Sequence, residues 1–279
     1  GINTGKGEDG SIGSDSYAKI IEKVRTDDDV KAIVLRVNSG GGSALASEII
    51  WREISLAKEK GIPVVASMAS VAASGGYYIS CLADTIVALP NTVTGSIGVF
   101  GLMANMSEFY NDKLGFTFDT VKTTKYSDFP TSVFLNRSLT QEEGAVIQRS
   151  VDEIYSDFLV RVGDGRSMDT AAVHKVAQGR VWTGVQAQKN GLVDVLGGIE
   201  EAIAIAANMA GLEEGDYRMR TFPEEQDPIE KLLKNFMGET KQHLIKEELG
   251  NQYRYYKVWK DWKSMNGVQA RMPFEIEVH

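Results

Sequence analysis

Pro63-Val64-Val65-Ala66-Ser67-Met68, followed shortly by Val71-Ala72-Ala73-Ser74-Gly75-Gly76-Tyr77-Tyr78, decides how this chain folds. The first run is short, apolar and free of charge, as expected of a strand covered on both faces. The second turns into a helix that continues through Ile79-Ser80-Cys81-Leu82. The same grammar recurs on either side. Upstream, Ala32-Ile33-Val34-Leu35-Arg36-Val37 reads as a strand, Asn38-Ser39-Gly40-Gly41-Gly42 as a tight turn, and Ala44 to Lys60 as a helix stopped by Lys58, Lys60 and Gly61. Downstream, Thr85-Ile86-Val87-Ala88-Leu89 is a third strand ended by Pro90. Strands alternating with helices predict a mostly parallel α/β sheet over residues 30–120. Ligand sites in such sheets lie at the carboxyl ends of strands, where both glycine-rich turns fall.

Further out, residues 14–26 have the spacing of a short amphipathic helix, with Ile20, Ile21 and Val24 on one side. Phe116 to Val121 alternates and reads as another strand, followed by a polar, irregular stretch over 122–138. Thr140-Gln141-Glu142-Glu143 resembles a capping box and opens a long helix to about Val162. Shorter helices are expected around 169–177, 183–190 and 198–210. From Gly215 the character changes. Residues 228–265 are charged and aromatic at roughly helical spacing, and Ala270 to Val278 reads as a terminal strand. The expected organisation is therefore a catalytic-type domain over 1–213 and an extension over 214–279, helical with a final strand, that serves packing or oligomerisation.

The 279 residues, 43% hydrophobic and 24% charged, suit a globular protein with a sizeable core. A net charge of −8 disfavours a nucleic-acid partner, which needs clustered Lys and Arg. The lone Cys81 forbids an intrachain disulfide and sits in an apolar run, as a buried structural thiol would. No segment reaches the roughly 18–20 apolar residues of a membrane span. The chain begins at Gly1 with a polar, glycine-rich segment, which reads as a piece of a longer protein whose anchor lies elsewhere.

The chemistry concentrates at Ser74. Serine is a common helix cap, but Gly75 and Gly76 weaken the first turn of the helix that follows and so call for a reason. They remove side chains where a substrate backbone would approach. The helix start offers free N–H groups and a positive dipole end. Ser74 is thus a candidate nucleophile, with the N–H groups of Gly75 and Gly41 as candidate oxyanion donors for acyl transfer or peptide hydrolysis. The glycine run lacks the G-x-x-x-x-G-K-[ST] phosphate-loop pattern, and no metal or cofactor is expected. A base is harder to find. His174, His243 and His279 lie far downstream, which disfavours a Ser-His-Asp arrangement. Lys122 and Lys125 are the lysines best placed to return to the active edge, although their surroundings are polar and a lysine base needs burial to lower its pKa.

Arg36-Val37-Asn38-Ser39-Gly40-Gly41-Gly42-Ser43, Ser67 to Ser80 and Thr94-Gly95-Ser96-Ile97-Gly98-Val99 resemble, in order, the signal peptide peptidase A (protease IV) family. Gly179-Arg180-Val181-Trp182-Thr183-Gly184 and Gly191-Leu192-Val193-Asp194 extend the likeness, which runs from about residue 14 to 211. The resemblance implies peptidase family S49, a Clp protease/crotonase-like α/β fold of repeated β-β-α units, a Ser/Lys dyad, and digestion of released signal peptides in or at the membrane. It matches Ser74 to the nucleophile and Gly41 and Gly75 to the oxyanion hole. It further implies a bacterial inner-membrane location with the catalytic domain on the periplasmic side.

Two departures stand out. Gly40 takes the place of a family proline. Ser127, not lysine, falls where the short form of the family carries its base, a pattern that resembles the C-terminal half of the long tandem form. The resemblance then implies that the lysine comes from an N-terminal half or a neighbouring protomer, and that the partners are hydrophobic peptides, sister protomers or that half. A short-form enzyme using Lys125 or Lys122, a non-catalytic assembly subunit, and a crotonase-like acyl-CoA enzyme are the alternatives.

Overall fold

The computed structural model describes residues 1–7, 10–213, 215–223 and 268–271. In chain order its elements are β1 (Ile2–Asn3), β2 (Ile12–Gly13), α1 (Ser14–Thr26), β3 (Ile33–Ser39), β4 (Gly41–Ser43), α2 (Ala44–Glu59), β5 (Val64–Ala73), α3 (Gly75–Ser80), β6 (Thr85–Ala88), β7 (Val93–Gly95) and β8 (Phe100–Gly101). A π-helical turn at Phe109–Lys113 follows, then α4 (Thr131–Leu135), α5 (Gln141–Arg166), α6 (Thr170–Val176), β9 (Val181–Thr183), α7 (Gly184–Lys189), β10 (Val195–Leu196), α8 (Ile199–Met209) and β11 (Val268–Arg271).

The main sheet is built around β5. Its charge-free run pairs in parallel with β3 along one edge. Its other edge is shared in succession, by β6 against residues 65–68 and by β7 against residues 71–73. β10 extends the sheet in parallel beyond β6, and β9 closes the far side antiparallel to β7. The alternation of strand and helix thus yields the parallel α/β sheet that it predicts. A second, smaller sheet runs β2-β1-β4-β11-β8. The two sheets meet where β3 ends at Ser39 and β4 begins at Gly41.

The apolar run that makes β5 a central strand also makes the core. Val64, Ala66 and Met68 are buried with Tyr77, Ile86, Phe158 and Leu192 packed in the same interior, and Val65 is buried in a second cluster with Val87, Ala202 and Ala206. Each large side chain so buried contributes about 1.5–3 kcal/mol relative to exposure. The core grips α3 in particular. The Tyr77 hydroxyl donates to the Leu192 carbonyl at 2.9 Å, and the Tyr78 ring lies 4.6 Å from that of Phe158 on α5. Tyr78 also donates to Glu48 on α2 at 2.6 Å, and Glu48 in turn accepts from Arg161 on α5 at 2.6 Å. The short helix after Ser74 is therefore held from two sides.

Several expectations change. Phe116 to Val121 forms no strand: residues 116–121 lie exposed, outside both sheets. Their alternation serves an aromatic cluster instead, with Phe116 stacked at 6.4 Å and Phe118 edge-on at 5.6 Å to Tyr110. A strand needs a partner edge as well as propensity, and among the described residues none pairs with this segment. The stretch after it contains α4, and α3 is shorter than Ala73 to Leu82 because β5 keeps Ala73. The charged region 228–265 lies outside the described residues. The terminal strand falls at Val268–Arg271, with the rest of 270–278 outside them.

Candidate active site

β5 delivers Ser74 and α3 starts immediately after it, so the chain must reverse its hydrogen-bonding pattern within one residue. It does so through φ 53° and ψ −117° at Ser74, a combination that costs a non-glycine residue about 1–3 kcal/mol. The backbone is fastened on both sides. The Ser74 N–H donates to the Gly95 carbonyl on β7 and its carbonyl accepts from Tyr78, each at 2.8 Å. The side chain is fully buried, and Ser74 Oγ has no hydrogen-bond partner among the described residues. Strain and a withheld hydroxyl at a strand-to-helix elbow are the attributes of a nucleophile rather than of a cap. No capping bond is present.

The glycines have separate reasons. A Cβ on Gly76 would meet the Ser39 carbonyl oxygen at 2.5 Å, so the end of β3 can lie against α3 only if residue 76 is glycine. Gly75, as the first residue of α3, has an N–H with no carbonyl inside the helix to receive it. Gly41 adopts φ +101°, which glycine alone takes readily, and its N–H donates to Ser39 Oγ at 3.1 Å. The structure therefore brings the Ser39–Gly41 turn up to the elbow, while the Gly41 N–H is engaged with a neighbouring hydroxyl.

One residue of note escapes a reading based on composition. Ser96 follows Gly95, the acceptor of the Ser74 N–H, and is a second buried serine with positive φ (48°), its own N–H held by the Arg180 carbonyl at 2.7 Å. The signal for it was local: Thr94-Gly95-Ser96 sets a serine beside a glycine at the end of a strand, as Ala73-Ser74-Gly75 does.

The internal base candidates lie elsewhere. Lys122 Nζ is 2.9 Å from Asp128 Oδ2, and Lys125 is paired with Glu142. The hydrogen bond that Lys125 donates to the Glu142 carboxylate is the main cause that raises the Lys125 pKa, the wrong direction for a base at neutral pH. Neither lysine is bonded to Ser74 Oγ. Ser127 closes a turn, its hydroxyl accepting from Thr123 and Thr124 and donating to the Thr124 carbonyl. His174 is exposed, and its ring nitrogens lie 2.9 Å from the Tyr155 hydroxyl and the Gln178 amide. His243 and His279 are outside the described residues. Cys81 is buried as expected, and that burial pushes its thiol up to about 12, which makes it a poor nucleophile. Among the described residues no group of three or more His, Cys, Asp or Glu could hold a metal ion.

A buried, strained serine beside the unreceived N–H of Gly75 makes Ser74 the candidate centre of a serine hydrolase, and the comparisons with known proteins give the family of the chain. The model of peptidase family S49 matches residues 56–213. The chain belongs to this family of serine peptidases, in the Clp protease/crotonase-like α/β fold class. Protease 4 of Salmonella typhi is 40% identical over 243 residues, 87% of this chain and 38% of that protein. The chloroplastic serine protease SPPA of Arabidopsis thaliana is 42% identical over 70% of this chain and 28% of its own length. The putative protease slr0021 of Synechocystis is 34% identical, covering 86% of this chain and 85% of that protein. The chain thus spans under two fifths of the Protease 4 it matches.

Proposed function

We propose that this chain carries the nucleophile and oxyanion hole of a serine endopeptidase whose general-base lysine comes from outside it, either from an N-terminal half or from a neighbouring protomer. The observation that carries the reading is Ser74 Oγ, buried on a strained elbow without a partner, while Lys122 and Lys125 are held by carboxylates. In the reaction Ser74 Oγ attacks the scissile carbonyl carbon as the incoming base removes its proton. The oxyanion forms against the N–H groups of Gly75 and Gly41, the latter exchanging the Ser39 hydroxyl for the substrate oxygen; one such donor supplies about 3–4 kcal/mol. Collapse breaks the peptide bond, the base returns its proton to the leaving amine, and water then hydrolyses the acyl-serine.

The substrates under this reading are hydrophobic peptides in extended form, above all cleaved signal peptides. Membrane association comes through a segment other than the described residues, where no helix is long and apolar enough to cross a bilayer. The catalytic domain faces the periplasm. The exposed apolar side chains Leu102, Leu114, Phe116 and Val121 support association with the other half or a sister protomer. A fluorophosphonate applied to the complete protein tests the core of the reading. Labelling should be lost in Ser74→Ala together with about 10⁴-fold or more of kcat. Undiminished labelling of that variant would refute it.

A further inference from the structure

The Ser39–Gly41 turn continues directly into β4, and what lies along β4 bears on how a peptide reaches Ser74. One edge of β4 pairs with β1. The other pairs antiparallel with β11, in the register Ser43 to Gln269, Gly42 to Ala270 and Gly41 to Arg271. β11 pairs in turn with β8, Val268 opposite Gly101 and Gln269 opposite Phe100. Residues 268–271 therefore fill a slot between two strand edges. By strand spacing that slot is about 9.5 Å across, the width of one extended chain.

The direction of this strand is informative. A peptide whose scissile carbonyl accepts the Gly41 N–H, and whose preceding residues lie along Gly42 and Ser43, must run antiparallel to β4 with its carboxyl end toward Gly41. β11 does this, with Arg271 in the last position before the elbow. We propose that residues 268–271 are a tethered competitor: they occupy, by main-chain pairing, the groove in which the acyl side of an extended substrate binds. This rests on the peptidase reading above and adds the groove, its strand direction and its resident.

The ladder is short, since β4 has three residues and β8 two. Such an occupant binds weakly on its own but is kept in place by a tether, which supplies an effective concentration on the order of millimolar. An extended peptide displaces it by adding a strand in the same way. Release of the segment should then lower KM and leave kcat unchanged, the signature of a removed competitor.

The test uses the complete protein, an internally quenched extended peptide, and two variants. One ends the chain at Gly267. The other, Ala270→Pro, keeps the length but removes a main-chain N–H opposite Gly42 and fixes φ. The expected result is a KM lower by about threefold or more in both, for an occupant held at a few times its dissociation constant. A synthetic peptide of residues 266–272 should inhibit the truncated variant competitively. Unchanged KM in both variants, non-competitive inhibition by the peptide, or loss of fluorophosphonate labelling in both would overturn the inference. Activity that survives Ser74→Ala instead removes the underlying peptidase reading, so the two failures are distinguishable.

Discussion

Ser74 bears two burdens that a structural serine would shed, the φ 53° backbone and a buried hydroxyl without a partner. Each is worth about 1–3 kcal/mol against the fold. Glycine at this position removes both, against about 0.5–1 kcal/mol of lost chain rigidity. Ser74→Gly is therefore expected to raise Tm, by about 2–4 °C for each kcal/mol regained, while activity disappears. Ser74→Ala removes the hydroxyl alone and should gain less. Differential scanning calorimetry of the three proteins orders them, and a Tm below wild type for Ser74→Gly would mean that the elbow is not strained. At this scale the sequence was readable in part. Two glycines after a serine announced a close approach, and the Ser39 carbonyl that excludes a side chain at residue 76 supplies it. The strain itself, and Ser96 beside it, depend on β7 lying next to β5. No local pattern encodes that pairing.

Among the elements, helices were legible because their signals are local, and short strands were not because theirs are non-local. Thr140 and Glu143 form the capping box that opens α5, whereas β4 is Gly41-Gly42-Ser43 and has no strand propensity of its own. Phe116 to Val121 shows the converse, propensity without an edge to join. What fixes the segment leading into α5 is charge. Arg137 donates to Asp128 at 2.9 Å and to both Glu143 oxygens at 2.6 and 2.8 Å, and Lys122 adds to the Asp128 pairing. Arg137, ahead of the Thr140 N–H, lowers Glu143 from 4.5 to about 2, and Arg137 is also the main cause that lowers Asp128. A carboxylate with a depressed folded-state pKa stabilises fully above its ordinary value, and that contribution fades as pH falls toward the folded one. Residues 122–143 should therefore open between about pH 4.5 and about 2 while the β5 core stays protected. Hydrogen exchange read by mass spectrometry follows this directly. Arg137→Gln should shift the opening toward pH 4.5, and a midpoint that does not move would show that this network does not hold the segment.

For the whole molecule the question is where the base resides, and the fold limits the answer. The parallel sheet brings the Ser74 elbow, the Ser39–Gly41 turn and the Gly95–Ser96 turn together at the carboxyl ends of neighbouring strands. The segment carrying Lys122 and Lys125 instead leaves both sheets, exposes apolar side chains and turns its lysines to Asp128 and Glu142. To serve Ser74, either lysine would have to abandon a carboxylate and enter a buried site. Lys125 would also have to reverse a pKa that its partner has raised. A cation brought from another segment already desolvated avoids both steps. In the complete protein, Lys125→Ala and Lys122→Ala should each leave kcat/KM within about twofold of wild type, since the exposed Lys125–Glu142 pair contributes little and Asp128 keeps its Arg137 partner when Lys122 is lost. Under the proposed function, the isolated chain should by contrast show negligible turnover, and its activity should return when an N-terminal half or a second protomer is supplied. Peptidase assays of the two variants and of the isolated chain read this out. Full turnover by the isolated chain that Lys125→Ala or Lys122→Ala abolishes would return the base to this polypeptide.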